Sequence, residues 1–174
     1  MEQLDAIALI QCPEIESPGT KNWVDLGCGT GTFTMALASL LTEGSHIHAM
    51  DMNLSSLKDI PDSHGTVRIE KHHGDFILDA WPEPIDGMLM ANALHFVRDK
   101  HSFLNRAFAA LPPHGIFLLV EYDMEHANTW VPYPLDYSTM RKLFLEIGFS
   151  KVRKLKERPS AYNRAMMYAA CISK

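Results

Sequence analysis

Long apolar runs and an excess of positive charge are both missing from this chain of 174 residues. No apolar stretch approaches the ~18 residues that span a bilayer, and the first residues, "MEQLDAIALI", lack the basic flank of a signal peptide. The 16 Lys and Arg against 21 Asp and Glu give a net charge of -5, which counts against nonspecific binding to DNA, RNA or anionic membranes. We therefore expect a cytoplasmic protein whose partners include neither DNA nor a membrane.

Cysteine is scarce as well. The three cysteines, Cys12, Cys28 and Cys171, are odd in number, and no two have the spacing of a metal-binding or redox pair. This pattern favours reduced thiols. Nothing near Cys28 indicates a reactive thiol, so we interpret it as a small residue that suits a crowded position.

Histidine is more frequent, but its pattern predicts no metal site. His72 and His73 are adjacent, and adjacent residues of a strand point to opposite faces, so they are poorly placed to bind one ion. His46 and His48 do share a face. For that pair we favour a strand that runs near the protein surface.

The alternation of short apolar runs with helical patterns predicts the fold. The length suits a single domain, residues 1–174, with a short N-terminal helical segment over residues 1–20. Strands that alternate with helices imply right-handed crossovers and a parallel sheet. The predicted parallel strands are the runs "NWVDL", "HIHAM", "TVRIEKH", "IDGMLMA" and "GIFLLVE".

The last two predicted strands, "SKVRKLKE" and "AMMYAACI", have no helix between them. They are therefore expected to pair as an antiparallel hairpin at one side of the sheet. The predicted fold class is α/β: a three-layer Rossmann-like sandwich with a mostly parallel seven-stranded sheet and an antiparallel C-terminal hairpin. Ligands of such sheets bind beyond the carboxyl ends of the strands.

The stretch "VDLGCGTG" lies at one of these strand ends. Its glycines, Gly27, Gly29 and Gly31, allow positive φ angles and a close approach of a ligand to the main chain. The spacing is G-x-G-x-G, whereas a dinucleotide site has G-x-G-x-x-G, and Thr32 occupies the third dinucleotide position. Asp25 would also repel a pyrophosphate. A nicotinamide-dependent oxidoreductase is therefore the weaker alternative.

"VDLGCGTG" resembles the first motif of the class I S-adenosylmethionine-dependent methyltransferases. Three further segments resemble later parts of that family in the same order: "HAMDMN" the end of the second strand, "HHGDF" the adenine-binding segment, and "MLMANALHFVRD" the fourth strand with its following loop. The resemblance extends over roughly residues 22–173. It implies S-adenosyl-L-methionine as the cofactor and methyl transfer as the activity.

The resemblance also implies the cofactor-binding residues. Asp25 would lie near the methionine ammonium, Asp51 would accept the ribose hydroxyls, and Asp75 would accept the adenine amino group. The whole set that the resemblance assigns to the cofactor is Asp25, Gly27, Cys28, Gly29, Thr30, Asp51, Met52, Asp75, Phe76, Asn92 and Ala93.

The acceptor is less well defined by the sequence. His95 and Glu121 are the candidate catalytic bases, needed only if the acceptor must lose a proton. The irregular residues 122–137 are expected to form an acceptor-site loop. Aromatic residues in and beside that loop would wall a pocket for an apolar or cationic group. The predicted substrate-binding residues are His95, Tyr122, Trp130 and Tyr133.

A small-molecule acceptor is the favoured interpretation, because "ANAL" stands where enzymes that methylate nucleic-acid amino groups carry Asn-Pro-Pro-Tyr. Two alternatives stay open: a module that binds S-adenosylmethionine without catalysis, and a methyltransferase with a protein or RNA acceptor. The basic run "KVRKLKER" is the only support for the latter. A homodimer is compatible with the sequence.

Overall fold

The computed structural model describes residues 1–16, 18–160 and 165–174. Residue 17, within the predicted N-terminal segment, lies outside the described residues. The strands are β1 Asn22–Leu26, β2 His46–Asp51, β3 Ser63–His64, β4 Val67–His73, β5 Gly87–Ala91, β6 Ile116–Tyr122, β7 Lys151–Pro159 and β8 Met166–Ser173. The helices are α1 Gln3–Ile10, α2 Thr32–Ala38, α3 Leu54–Lys58, α4 Lys100–Ala110 and α5 Tyr137–Ile147, with a 3₁₀ turn over Leu94–Phe96. In this part of the chain, no helix combines the length and the hydropathy needed to cross a membrane.

One mixed sheet contains all eight strands, in the order β3-β4-β2-β1-β5-β6-β8-β7. Strands β4, β2, β1, β5 and β6 are parallel, whereas β8 pairs antiparallel with both β6 and β7. This confirms the predicted Rossmann-like α/β sandwich with its antiparallel C-terminal hairpin. The sequence analysis predicted seven strands; the additional one, β3, is a two-residue strand at the sheet edge that is too short to leave a pattern.

The two faces of the sheet bury two separate apolar clusters. Trp23 and Leu89 point to the side where α1, α2 and α3 pack, while Val24, Met88 and Phe117 point to the side of α4 and α5. All five side chains are at least 98% buried. Burial of side chains of this size stabilises the fold by about 1.5–3 kcal/mol each.

Side-chain caps fix the points where several helices begin. Asn53 Oδ1 accepts from the backbone N–H of Ser55 at 3.0 Å and so caps the N-terminus of α3. Asp99 caps α4 and Asp136 caps α5 in the same way. Gly148, with φ of 120°, follows α5 and ends that helix.

The order of the strands locates the ligand-binding edge. The chain enters the sheet at β1, moves outward through β2 to β4, and then returns to pair β5 with the other side of β1. This reversal is the topological switch point at which open α/β sheets bind their ligands. The loops that follow β1, β2 and β5 therefore surround the candidate site.

Candidate active site

A cavity of about 390 Å³ lies at the carboxyl ends of β1, β2 and β5. Seven of the eleven residues predicted to bind the cofactor line it: Asp25, Gly27, Cys28, Gly29, Thr30, Asp51 and Asn92. The structure thus brings together residues that are up to 67 positions apart in sequence, from Asp25 to Asn92. Its other lining residues are Met1, Thr32, Phe33, Ala91, Phe96, Tyr122, Arg158 and Met167.

The glycine loop shapes one wall of this cavity. A Cβ atom on Gly27 would lie 2.7 Å from the Ala93 Cβ, and one on Gly31 would lie 2.7 Å from Ile60 Cγ1. Those two glycines therefore allow the loop to pack against its neighbours. A Cβ on Gly29 would meet nothing within 4 Å. Gly29 thus exposes bare main chain to the cavity.

Asp51 holds this loop to the end of β2. Its Oδ2 accepts from the Gly29 N–H at 2.8 Å, and its Oδ1 accepts from the Asn53 N–H at 2.8 Å. Each carboxylate oxygen keeps a further lone pair. The group can therefore accept two hydroxyl donors side by side, which fits a ribose diol.

Asp25 is an unusual acid because it is 1% exposed and only half satisfied. Its Oδ2 accepts from the Thr34 hydroxyl at 2.6 Å, but its buried Oδ1 has no hydrogen-bond partner among the described residues. Burial raises the pKa of the Asp25 carboxyl to about 7; the Thr34 hydrogen bond opposes this rise and the nearby Asp51 charge adds to it.

Asn92 supplies a second unsatisfied acceptor. It has φ of 54°, its N–H donates to the Val120 carbonyl at 2.8 Å, and its buried Oδ1 has no partner among the described residues. A buried acceptor without a donor costs about 1–3 kcal/mol. Asp25 and Asn92 therefore each leave an acceptor oxygen for a hydrogen-bond donor, and the contact of Asp25 with the methionine ammonium stays a prediction. Beside them, burial raises the pKa of the Cys28 thiol, which agrees with its interpretation as an unreactive residue.

A second cavity, of about 460 Å³, adjoins the first and shares Asn92, Phe96 and Tyr122 with it. Its remaining lining residues are His95, Asn128, Trp130 and Val131. The aromatic side chains at the boundary give this space an apolar wall. Two of the four predicted substrate-binding residues, His95 and Trp130, line this cavity alone, and Tyr122 lines both.

His95 and Glu121 form a buried pair under the second cavity. His95 Nδ1 lies 2.9 Å from Glu121 Oε2 and 3.1 Å from Oε1, and the His95 main-chain N–H also donates to Oε1 at 3.0 Å. Glu121 receives another N–H from Tyr122 at 3.1 Å. The carboxylate thus fixes the position and the tautomer of the imidazole, leaving Nε2 as the nitrogen for the cavity.

Four predicted cofactor residues do not line the first cavity. Met52 is 64% exposed, and Ala93 is buried beneath Gly27. Phe76 also packs against Gly27, since a Cβ there would lie 3.1 Å from its ring. Asp75 Oδ1 accepts from the Ile77 N–H at 2.8 Å and so caps the turn after β4. The contacts of Met52, Asp75 and Phe76 with the adenine, and of Ala93 with the methionine part of the cofactor, stay predictions.

Tyr133 is likewise held outside the second cavity by its main chain. Its N–H donates to the His95 carbonyl at 3.1 Å, and its carbonyl accepts from Lys100 Nζ at 2.7 Å. The side chain lines a neighbouring groove instead. Its direct contact with an acceptor remains a prediction.

Several residues of the first cavity were missed because they come from the two ends of the chain. Met1 precedes α1, while Arg158 and Met167 lie on the C-terminal hairpin. Arg158 Nη1 bonds Asp5 Oδ2 at 2.9 Å, so an ion pair joins α1 to β7 beside the cavity. In the sequence Arg158 is only the last residue of the basic run "KVRKLKER", and nothing in the linear pattern indicates that the two ends of the chain meet.

Comparison with known proteins identifies the family and the fold. A family model described as a methyltransferase domain matches residues 19–172. Among curated proteins, none matches the sequence significantly. Among solved structures, the mycolic acid cyclopropane synthase CmaA1 complexed with SAH and CTAB superposes with a TM-score of 0.75 at 13% identity, over 99% of this chain and 84% of that one.

Two further solved structures share the fold. A SAM-dependent methyltransferase from Methanosarcina mazei has a TM-score of 0.69 at 15% identity, over 95% of this chain and 99% of that one. An arsenic(III) S-adenosylmethionine methyltransferase from Chlamydomonas reinhardtii has a TM-score of 0.66 at 16% identity, over 98% of this chain and 72% of that one. At sequence identities this low, the comparisons show only that the folds are similar.

A doubly wound sheet with a G-x-G-x-G loop and two acids at its carboxyl edge is typical of the class I S-adenosylmethionine-dependent methyltransferases. The chain belongs to the methyltransferase-domain family whose model it matches. It is an enzyme of that class, and its cofactor is S-adenosylmethionine, as its motifs predicted.

Gly29 and Gly31 predict different defects. Gly29→Ala places a methyl group in the cavity, so we expect S-adenosylhomocysteine to bind at least about tenfold more weakly, a loss of roughly 1.4 kcal/mol. Both variants put a Cβ on a left-handed main chain, with φ of 54° at Gly29 and 84° at Gly31, which costs roughly 1–2 kcal/mol. Gly31→Ala in addition forces Ile60 to move, so we expect its free energy of unfolding to fall by about 1–3 kcal/mol more than that of Gly29→Ala. Calorimetric titration and urea unfolding measure the two effects. If both variants lost the same free energy of unfolding, the expected difference between Gly29 and Gly31 would be contradicted.

The unsatisfied Asp25 predicts proton release on cofactor binding. With its pKa raised to about 7, Asp25 is largely protonated at pH 6.5 in the free enzyme. A bound ammonium favours the carboxylate, so the affinity for S-adenosylmethionine should rise as the pH rises through about 7. Calorimetric titrations with S-adenosylmethionine at pH 6.5, in two buffers of different ionisation enthalpy, give the number of protons released on binding. Asp25→Asn keeps an acceptor oxygen for the Thr34 hydroxyl and should abolish the proton release. The same number of released protons in that variant would contradict the assignment of the proton to Asp25.

Proposed function

We propose that this enzyme transfers a methyl group from S-adenosylmethionine to a small molecule held in the second cavity. The observation that carries the proposal is the continuity of the two cavities, which meet at Asn92, Phe96 and Tyr122. An acceptor in the second cavity would therefore face the methionine end of the cofactor. Residues 122–137 supply Asn128, Trp130 and Val131 to its wall, which supports their proposed role as an acceptor-site loop.

The lining favours an acceptor with an apolar or cationic group. Phe96, Tyr122 and Trp130 present aromatic surface, and Val131 adds an aliphatic wall. Aromatic faces attract cations and apolar groups, by about 0.5–2 kcal/mol per cation–π contact. Trp130 is 82% exposed in the absence of an acceptor. Its surface is thus available to an incoming molecule.

The cofactor supplies an electrophilic methyl group on a sulfonium sulfur, so the protein has little covalent chemistry to perform. Asp25 and Asn92 would hold the ammonium end, and Asp51 would hold the ribose hydroxyls. The bare main chain at Gly29 leaves room between these groups. Alignment of the two reactants contributes to catalysis through proximity, within a range of about 7–11 kcal/mol.

His95 is proposed as the general base, and Glu121 as its positioning residue. His95 lines the acceptor cavity, whereas Glu121 is 2% exposed and lines neither cavity. With Nδ1 bonded to Glu121, Nε2 is left to take a proton from an acceptor hydroxyl or ammonium group. The negative charge of Glu121 would stabilise the imidazolium that forms.

Lys100 holds the acceptor loop over this pair. Its Nζ donates to the Val97 carbonyl at 2.8 Å and to the Tyr133 carbonyl at 2.7 Å. Burial lowers the pKa of Lys100, and the Glu121 charge opposes that shift. The ammonium therefore pins residues 94–97 to the loop at Tyr133. This arrangement supports a fixed pocket in preference to an open surface.

The basic C-terminal run gives little support to an RNA or protein acceptor. Within it, Arg153 pairs with Glu14, Lys154 with Glu157, and Arg158 with Asp5. Much of its positive charge is thus neutralised within the chain. A homodimer is not required by this geometry, because both cavities are built from one chain. The proposed location is the cytoplasm, in keeping with three free, buried cysteines.

Trp130 offers a direct test of the small-molecule acceptor. A panel of phenols, amines and carboxylic acids, alongside peptides and RNA, is assayed for formation of S-adenosylhomocysteine. For small molecules that react, Trp130→Ala should raise the acceptor KM about tenfold, which corresponds to roughly 1.4 kcal/mol of lost contact. The Kd of the cofactor should stay unchanged.

Leu78→Ala is the matched control, because Leu78 is 79% exposed and lines neither of the two cavities. It should leave the acceptor KM unaltered. Activity confined to peptides or RNA, or an acceptor KM that does not respond to Trp130→Ala, would rule out the proposed acceptor site.

The buried pair predicts a change in kcat. Removing a general base typically costs 10²–10⁴-fold, so His95→Ala should lower kcat by about that factor while cofactor affinity is retained. Added imidazole should restore part of the rate through the space left behind. Glu121→Gln should lower kcat by roughly tenfold or more and leave the acceptor KM near its original value.

His126→Gln is the control for this pair, because His126 is an exposed histidine of the same loop that lines neither cavity. Its kcat should match that of the unaltered enzyme. Full activity in His95→Ala would show that the acceptor is methylated without a base from this position.

A further inference from the structure

Four metal-binding side chains meet on one face of two neighbouring strands, away from both cavities. Strands β2 and β4 are parallel, with His48 opposite Glu70 in the register and His46 two residues before His48. Because side chains alternate along a strand, His46, His48, Glu70 and His72 all project to the same face. His72 comes from "HHGDF", and its partners in this cluster lie on the neighbouring strand as well as on its own.

This face is open because a helix is missing beside it. The connection between β4 and β5, residues 74–86, is described throughout and contains no helix. The strand face near it carries polar side chains where the centre of the sheet carries apolar ones. The His46, His72 and Glu70 side chains are 21%, 26% and 42% exposed, so an ion from solvent can reach them.

The geometry is close to that of a metal site. One ligand atom each from His46, His48 and Glu70 lies within 4.8 Å of the others, and His46 Nε2 is 3.5 Å from Glu70 Oε2. Tetrahedral zinc with bonds of about 2.0–2.2 Å sets its ligand atoms roughly 3.3–3.6 Å apart. Small side-chain rotations therefore suffice to bring the three groups onto one ion.

One observation indicates that the protein alone does not satisfy this cluster. His46 Nε2 is buried and has no hydrogen-bond partner within the described residues, although it lies 3.5 Å from Glu70 Oε2. A metal ion bound to this nitrogen would supply the missing partner.

His72 occupies the position of an orienting partner. Its Nε2 lies 2.9 Å from His48 Nδ1, a hydrogen bond that fixes the His48 ring. Metal-binding histidines usually use their second nitrogen in this way. Arg68 also contacts Glu70, at 3.8 Å, but its side chain is 73% exposed and can turn into solvent when an ion binds.

We propose that His46, His48 and Glu70 bind a divalent transition-metal ion such as Zn²⁺, with His72 as the residue that orients His48. Two imidazoles and one carboxylate are a ligand set that zinc accepts, and they leave a fourth position for water. The site stands on β2 and β4, whereas the proposed methyl transfer takes place beyond the ends of β1 and β5. It is therefore independent of the proposed function.

The test measures zinc binding to the full chain by equilibrium dialysis, without any activity assay. We expect one zinc per chain. His46→Gln and Glu70→Gln should each weaken binding at least 100-fold. His72→Gln should weaken it about 10–100-fold, as is typical for a residue that orients a ligand. His73→Gln, on the same strand but the opposite face, should change the Kd less than about twofold.

Cobalt(II) distinguishes this site from the other candidate, the buried group Cys12, Glu14 and Cys171. Binding at the histidines should give the visible bands of four-coordinate cobalt without a near-ultraviolet thiolate charge-transfer band. Such a charge-transfer band, or zinc affinity that is unchanged in both His46→Gln and Glu70→Gln, would overturn the proposal. So would the absence of zinc binding by the folded chain, with folding verified by circular dichroism.

Discussion

Hydrogen bonds between the glycine loop and the end of β2 are the constraint on which the active site depends. The N–H groups of Gly27 and Cys28 both donate to the Met50 carbonyl, at 2.8 and 3.1 Å, and the next N–H, of Gly29, donates to Asp51. Three successive donors are thereby fixed to one strand end. The loop is held open over the sheet, and Asp51 is left with lone pairs directed at the same space.

Unsatisfied acceptors give that space a need for hydrogen-bond donors. Asp25 Oδ1 and Asn92 Oδ1 are buried atoms that nothing in the described protein satisfies, and both residues lie at the carboxyl ends of central strands. A ligand without donors would leave the desolvation of these two oxygens uncompensated, whereas a ligand that donates to them offsets that cost.

The sequence predicted the parts of this structure that depend on local pattern. The five parallel strands follow from residues near one another, and the meeting of Asp25 and Asp51 follows from the rule that parallel strands end at one edge. Asn92 was predicted only through the resemblance to the methyltransferase family. Contacts that depend on strand register, or on where distant segments of the chain run, could not be predicted from the sequence. Arg158 lies on the last hairpin, yet it reaches the first cavity because β7 passes beside α1.

The cluster of His46, His48, Glu70 and His72 could not be predicted for the same reason. The sequence of one strand shows which of its residues share a face of the sheet. It does not show which residues of the neighbouring strand lie next to them. His48 meets His72 only because β2 and β4 pair in one particular register. Asp75 is a different case: its Oδ1 accepts a main-chain N–H within the turn, and its predicted contact with the adenine stays a prediction.

The ion pair between Asp5 and Arg158 ties the first helix to the final hairpin at the rim of the cofactor cavity, with Met1 beside it. Any peptide fused ahead of Met1 would consequently emerge at the mouth through which the cofactor enters. Lys174 is anchored elsewhere, by its main-chain N–H to the Gly115 carbonyl at the amino end of β6. The opposite terminus is therefore the neutral place to attach a purification handle or a surface tether.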